Sequence, residues 1–213
     1  MIYNIDLAKQ VAKSLLQINA IILQPNNPFK WAAGWNSPIY CDNRKTLSHP
    51  EIRNLIKQGL VAIIKNHYKG TNVIAGVAVA GIPHGALVAE ELGLPFIYVR
   101  SETKKHGKQN KIEGVSEKGQ SVVLIEDLIS SGKSSLEAAA TLKDAGMLVK
   151  GMASIFTYGF DAASNNFEKA NCEYISLCDY NTLLPQAIAQ QYIEEVDLAI
   201  LKEWREDPSN WKK

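Results

Sequence analysis

A short apolar run, 121–125 with the sequence S-V-V-L-I, constrains the fold of this chain more than any other feature. Near-continuous aliphatic and β-branched residues over this length are typical of a strand buried on both faces. Such strands occur in parallel sheets, whose two faces are covered by helices. We therefore predict an α/β fold with a central, mainly parallel sheet and helices on both faces.

The remainder of the chain alternates between helix and strand patterns, as this fold class requires. Helices are predicted over 5–18, 51–68, 134–145, 187–204 and a short stretch that includes 167–170, and a turn followed by a helix over 81–92. Strands are predicted over 72–79, 96–99, 121–125, 148–156 and 174–177. Because no repeat or flexible linker interrupts this order, residues 1–213 are expected to form a single domain. Ligands on such sheets bind at the carboxyl ends of the strands, so the functional residues are sought there.

The overall composition argues against several classes of function. The 213 residues are 46% hydrophobic and 21% charged, which is ordinary for a globular protein. A formal net charge of +1 gives no general attraction for nucleic acid or an anionic membrane, so neither is expected as a partner. The sequence shows neither a signal-peptide pattern nor an apolar stretch near the roughly 20 residues that span a bilayer. Three cysteines without C-x-x-C spacing, Cys41, Cys172 and Cys178, are expected to be reduced in a cytoplasmic protein.

Two adjacent carboxylates, Glu126 and Asp127, follow the apolar run, and a turn of small residues leads from them into a helix near Ser134. Small residues let backbone N–H groups converge, and together with a helix N-terminus these groups favour a phosphate dianion. The carboxylates would repel a phosphate, but they suit the vicinal hydroxyls of a ribose, or a cation. The segment therefore predicts a site for a ribose 5-phosphate.

Two other interpretations of this segment remain open. An acidic turn can simply cap a helix, since Asp and Ser are common there. The residues Gly132, Lys133 and Ser134 also match the end of a Walker A loop, which would indicate a nucleotide-triphosphate hydrolase or kinase. The first glycine of that loop would fall on Asp127, whose charge would oppose the phosphates.

A basic segment, 100–118, follows the predicted strand 96–99 and is long for a connection in a compact domain. Its cations suit a pyrophosphate leaving group, which needs several positive charges. The alternative is a solvated charged excursion, because runs of charge usually have no further role. The basic side chains are Arg100, Lys104, Lys105, Lys108, Lys111 and Lys118, with His106 among them.

The 122–134 segment resembles the phosphoribosyl-pyrophosphate signature of the type I phosphoribosyltransferases. The resemblance implies that Glu126 and Asp127 hold the ribose hydroxyls. It also implies that the residues after them hold the 5-phosphate. In sequence order those residues are Leu128, Ile129, Ser130, Ser131, Gly132, Lys133 and Ser134.

The basic segment is similar to the mobile catalytic loop of the orotate phosphoribosyltransferases, with its Arg…Lys-x-His-Gly pattern. By that resemblance Arg100, Lys104 and His106 bind pyrophosphate as it departs. In that family the loop closes over the active site of the neighbouring subunit, so a homodimer with shared active sites is implied. This chain has Ser101 where some members have a lysine.

The N-terminal residues 1–45 resemble the hood that this family places over the base. The pattern G-x-x-S-P-x-Y matches Gly34, Ser37, Pro38 and Tyr40, and aromatic residues here make sense for stacking on a planar base. The alternative is that these aromatic residues are core. By resemblance Ser130 also contacts orotate. Some members hold the orotate carboxylate with an arginine after the next strand, but the stretch 156–159 has none.

The resemblance implies an enzyme that transfers ribose 5-phosphate from phosphoribosyl pyrophosphate to orotate, giving orotidine 5′-phosphate and pyrophosphate in de novo pyrimidine synthesis. Lys104 and His106 are expected to assist departure of the pyrophosphate, and Asp127 to steady positive charge on the sugar. Mg²⁺ is expected as the cofactor, carried by the substrate phosphates, with no protein ligands assigned. The alternatives are a purine salvage transferase and a non-catalytic regulator on the same fold.

Overall fold

The structure is a computed structural model that describes residues 1–31, 34–100 and 111–212. Its strands are β1 (Ile21–Leu23), β2 (Phe29–Lys30), β3 (Asn36–Ser37), β4 (Ile39–Cys41), β5 (Val73–Val77), β6 (Phe96–Val99), β7 (Ile112–Glu113), β8 (Ser121–Ile129), β9 (Leu148–Thr157) and β10 (Tyr174–Asp179). The main sheet has the order β10-β9-β8-β5-β6-β7. Its neighbours pair in parallel except for β7, which runs antiparallel to β6. The predicted α/β class is confirmed.

The helices begin and end where the sequence supplies local signals. Helix α1 follows Asn4, whose side chain accepts hydrogen bonds from two first-turn amides, and α2 has Pro50 at its first position. Helix α3 is terminated by the following residue, Gly93, which lies in the left-handed region with φ +65°. The helices are α1 (Ile5–Gln17), α2 (Pro50–His67), α3 (Gly81–Leu92), α4 (Lys133–Asp144), α5 (Asp161–Lys169), α6 (Tyr180–Ala189) and α7 (Leu198–Glu206), with 3₁₀ helices at Asn43–Ser48 and Glu195–Asp197.

Two apolar cores lie on the two faces of the sheet. One contains residues of α1, α2, α3, α6 and α7 together with Val123 and Ile125 of β8. The other contains residues of α4 and α5 together with Val122 and Leu124. Because successive strand residues point to opposite faces, the apolar run supplies both cores, which confirms that this strand is buried on both sides. No helix in the described ranges combines the length and apolarity needed to cross a bilayer.

Several element boundaries differ from the sequence-based expectation, and the largest differences are the following. Strand β8 continues to Ile129 instead of ending at residue 125, because its last residues pair with β9. The predicted helix 187–204 is wrong: α6 ends at Ala189, Gln191 has a left-handed φ of +59°, and a separate α7 follows. Strand β7, inside the predicted basic loop, was missed because it has only two residues.

The N-terminal residues divide into two parts. Helix α1 packs against β10 and α6. After it, β1 pairs with β4 and β2 with β3, both antiparallel. These short strands lie near the carboxyl ends of the main-sheet strands, since Asn43, just past β4, donates a hydrogen bond to the carbonyl of Asp127 at 2.7 Å.

Candidate active site

The turn between β8 and α4 has the backbone features that suit an anion. Gly132 has a φ of +77°, and a Cβ there would collide with the ring of Phe167, so another residue would be both strained and crowded. Within the described residues, no side chain caps the start of α4. Its first-turn amides therefore remain available as donors, and the helix dipole adds partial positive charge.

The two acids lie beside this turn, on opposite faces of β8. Glu126 is 6% exposed; its Oε2 accepts from Ser135 Oγ at 2.8 Å and its Oε1 from the Asp127 amide at 3.0 Å. Asp127 is partly buried, and its backbone carbonyl accepts the hydrogen bond from the side chain of Asn43. They are not placed beyond the end of the strand as the sequence suggested, because β8 runs on through them and alternates their directions.

Burial disfavours the ionised form of both carboxyl groups of this pair in the isolated protein. It raises the pKa of Glu126 well above its ordinary value, and the charge of Asp127 raises that pKa further. Burial likewise raises the pKa of Asp127, and a hydrogen bond with Glu126 opposes this effect. Hydroxyl donors or a nearby cation would offset the cost of ionising both groups.

The other predicted phosphate-binding residues follow in order along the turn. Ile129 is buried, and its carbonyl accepts from Thr157 Oγ1 at 3.2 Å, which holds the end of β8 against β9. The carbonyl of Ser131 accepts from Asn166 in α5 at 3.0 Å. Lys133 is exposed at the first position of α4. Leu128 and Ser130 line the neighbouring cavity, and Ser134 lines a small cleft with Arg100 and Lys111.

A second turn, between β5 and α3, lies against the same strand. A Cβ at Gly81 would collide with the carbonyl of Ile125, so this glycine lets α3 start close to β8. The Ala78–Val79 peptide bond in this turn is cis. Burial lowers the pKa of His84 in α3 to about 4, which keeps its ring neutral at pH 7. The ring lies 3.4 Å from Thr46 Oγ1.

An aromatic cavity of about 410 Å³ opens beside Ser130. The rings of Trp31 and Tyr158 form part of its wall with centroids 5.4 Å apart, and Tyr40 is 39% exposed. The structure thus brings together Ser130 and Tyr40, the two residues predicted to contact the base. The cavity is lined by Lys30, Trp31, Tyr40, Cys41, Leu128, Ser130 and Tyr158.

The C-terminal segment supports this cavity from behind, and sequence reasoning missed it. Trp204 is fully buried and its ring lies 5.7 Å from that of Trp31. Arg205 donates from Nε to the carbonyl of Tyr158 at 3.2 Å and from Nη2 to that of Gly159 at 2.6 Å. The sequence predicted a helix over a range that includes Trp204, but nothing local indicated what this helix would contact.

The basic segment is described only at its two ends. Arg100, directly after β6, lies 3.5 Å from Glu113 through Nη1, and its amide donates to the carbonyl of Lys111 at 2.9 Å. Lys104 and His106, the predicted pyrophosphate ligands, lie outside the described residues, as do Lys105 and Lys108. Their roles therefore stay predictions.

Comparison with known proteins agrees with this geometry. A model of the phosphoribosyl transferase domain family matches residues 45–182. The solved structure of orotate phosphoribosyltransferase from Aeropyrum pernix is similar with a TM-score of 0.74 and 26% identity, covering 83% of this chain and 97% of that chain. The fold is that of a phosphoribosyltransferase, and the chain belongs to this domain family.

Similar proteins of known family show to which phosphoribosyltransferases this chain is related. This chain is 54% identical over 205 residues to the orotate phosphoribosyltransferase of Cytophaga hutchinsonii, covering 96% of this chain and 98% of the relative. It is 53% identical over 201 residues to that of Bacillus pumilus, covering 94% and 95%. The chain therefore belongs to the orotate phosphoribosyltransferase family, which confirms the predicted family and enzyme class.

Proposed function

We propose that this chain transfers the ribose 5-phosphate group of phosphoribosyl pyrophosphate to orotate, releasing pyrophosphate and forming orotidine 5′-phosphate for pyrimidine synthesis. Family membership supports this reaction. The observation that carries it is the junction at Ser130, where the phosphate-type turn meets the aromatic cavity. A sugar phosphate and a planar base bound on either side of this residue would have their reacting atoms next to each other.

The turn binds the 5-phosphate and the acids bind the sugar. The uncapped first turn of α4 provides converging amides for the phosphate, with hydroxyls at Ser130, Ser131 and Ser134 as further donors. Glu126 and Asp127 accept hydrogen bonds from the ribose hydroxyls. Their raised pKa values support this role, because hydroxyl donors replace the water that burial has removed.

The reaction is a displacement at the anomeric carbon: the bond to pyrophosphate breaks and a bond to a ring nitrogen of the base forms. The transition state resembles an oxocarbenium ion, so positive charge grows on the sugar while negative charge leaves with pyrophosphate. Asp127 stabilises the positive charge on the sugar. The negative charge on the departing pyrophosphate is stabilised by Arg100, Lys104 and His106. The protein supplies no nucleophile, since the base attacks. Its contribution is to orient the reactants and exclude water.

Mg²⁺ is the proposed cofactor, and it arrives with the substrate. Among the described residues, no group of three or more His, Cys, Asp or Glu is arranged to hold a metal ion. Mg²⁺ commonly binds through substrate phosphates with few protein ligands. The buried acidic pair fits a cation carried next to it, because such a charge lowers the cost of ionising both acids. The ion would neutralise charge on the pyrophosphate.

We further propose a homodimer in which residues 100–118 of one subunit complete the active site of the other, as the family resemblance implies. A cytoplasmic location is proposed on the strength of three free cysteines, two of them buried. The hood of residues 1–45 is proposed to cover the base through its part from β2 to β4, which lines the aromatic cavity.

The test is to mix the protein with Mg²⁺, phosphoribosyl pyrophosphate and a panel of bases, and to follow pyrophosphate release. Among these bases, only orotate is expected to cause release of pyrophosphate. Release with hypoxanthine or adenine instead would identify a purine salvage enzyme, and binding of phosphoribosyl pyrophosphate without release would identify a non-catalytic regulator.

A further inference from the structure

The aromatic cavity poses a charge problem for the proposed base. Orotate carries a carboxylate that is ionised at neutral pH. The cavity walls are mainly aromatic and aliphatic, and the charge of Asp127 acts on two of their members, Tyr158 and Cys41, raising the pKa of each in addition to the effect of burial. An anionic base that enters this surrounding needs a compensating cation.

Lys30 is the one cationic side chain that lines this cavity among the residues the structure describes. Its ammonium group has no ion pair or hydrogen bond to any described residue, and the side chain is exposed. The cation is therefore free to bind a ligand. An ammonium group also offers three donors to a carboxylate.

The backbone that carries Lys30 is held on both sides. The ring of Phe29 lies 5.6 Å from that of Tyr40. The next residue, Trp31, packs on Tyr158 and donates from its indole nitrogen to the carbonyl of Ile39 at 3.2 Å. The backbone of Lys30 is thus held at the cavity by the contacts of its neighbours. Its long side chain remains able to extend towards a bound base.

The other described cations near the cavity already have partners. Arg44 donates to the carboxylate of Asp42 through both Nε and Nη2, at 2.6 and 2.9 Å. Arg205 is engaged with two backbone carbonyls and lines the adjoining cavity of about 460 Å³, which Asp161 and Glu206 also line. Those two acids make the adjoining cavity less suited to a carboxylate.

We propose that Lys30 binds the carboxylate of the base and thereby makes the enzyme select a carboxylated pyrimidine over uracil. This inference rests on the proposed function, since it assumes that the base enters the aromatic cavity. It assigns to Lys30 the role that an arginine after this strand has in some relatives, since this chain has no arginine in the stretch 156–159.

The experiment compares wild type with Lys30→Met, which keeps the length of the side chain and removes its charge. With Mg²⁺ and phosphoribosyl pyrophosphate, the KM for orotate is expected to rise about ten- to hundred-fold, the loss typical of one charge-assisted hydrogen bond. The KM for phosphoribosyl pyrophosphate and the inhibition constant of uracil should change less than about two-fold. Lys30→Arg should recover most of the orotate affinity, because it restores the charge.

Lys13→Met, at an exposed position of α1, is the matched control and should leave every constant unchanged. Thermal melts of all variants establish that they fold alike. An orotate KM in Lys30→Met equal to that of wild type overturns the role of Lys30 alone. Absence of orotate turnover in the wild-type enzyme overturns the proposed function, and this inference with it.

Discussion

The proposed sugar-phosphate site and the proposed base cavity of this protein are assembled in different ways. The first comes from one contiguous stretch, Glu126–Ser134, in which a strand runs into a turn and a helix. The second gathers residues from β2, β4, the end of β8 and the end of β9, and rests on α7. In the proposed function, the residues that bind the sugar phosphate are thus contiguous in sequence, whereas those that select the base are brought together by tertiary packing.

The strongest way to test the local site is Asp127→Asn. We expect turnover to fall by about a hundred-fold or more, because a charge facing the sugar in the transition state is lost. The variant should nevertheless be more stable than wild type at pH 8. Burial raises the folded-state pKa of both carboxyl groups, so stability present at low pH is lost as the pH rises through those values.

Urea unfolding at pH 8 and pH 4 measures this effect, and the gain should shrink at the lower pH, where wild type carries less charge. Asp144→Asn, exposed at the end of α4, is the control. Full activity in Asp127→Asn would remove this acid from the mechanism.

A second test asks whether residues 100–118 act across a dimer. Lys104→Ala should lower turnover about a hundred-fold without shifting the melting temperature. Mixed with Asp127→Asn and allowed to exchange subunits, it should regain about one quarter of wild-type activity, since half of the dimers are mixed and each has one intact site.

The activity is followed against mixing time, and each variant mixed with wild type serves as the control. Persistent inactivity of the mixture, with subunit exchange demonstrated by labelled protein, would show that each active site is built from one chain.

The base cavity is tested through its support, with Trp204→Ala. Removing this buried indole should cost about 3–5 kcal/mol in the free energy of unfolding, because a cavity opens beneath Trp31. In the fraction that stays folded, the KM for orotate should rise more than the KM for phosphoribosyl pyrophosphate. Denaturant titration and steady-state kinetics measure the two effects, and Trp204→Phe should show a smaller change in both. Equal changes in the two KM values would mean that α7 supports the whole site rather than the base cavity.

The smallest effect concerns His84, whose ring connects α3 to the 3₁₀ helix Asn43–Ser48 through a contact with Thr46. Its pKa is lowered to about 4 by burial, so the neutral ring contributes stability that is complete above the unfolded value near 6.5 and lost as the pH falls towards 4. The loss should approach about 3 kcal/mol at most. Urea unfolding between pH 7.5 and 4.5 measures it, and His84→Gln should flatten the profile over this range. An unchanged slope would assign the acid sensitivity to other groups.

The sequence predicted those parts of the molecule whose cause is local. Strand Phe96–Val99 matches its predicted bounds, and helix Gly81–Leu92 fills the range predicted as a turn and helix, because turn residues flank both segments. The end of β8 was set too early since pairing with β9 extends it. The helix break after Ala189 has no Gly or Pro at the break itself. The left-handed conformation of Gln191 could not be predicted, because the periodicity of apolar residues contains no information about it.

The same division holds for the site. Glu126, Asp127 and the turn after them could be proposed as a site from the sequence because they are adjacent both along the chain and in space. Lys30 and Arg205 could not, since their positions depend on contacts across more than forty residues of sequence, such as those of Arg205 with Tyr158 and Gly159. A charged residue in a short strand or a terminal helix carries no local mark of such a contact.

The most direct test of the central claim is a crystal structure of the protein with Mg²⁺ and phosphoribosyl pyrophosphate. The account predicts the 5-phosphate against the amides at the start of α4, with the ribose hydroxyls hydrogen-bonded to the carboxylates of Glu126 and Asp127. Density for the phosphate at any other place, with both acids still turned to Ser135 and the hood, would contradict it.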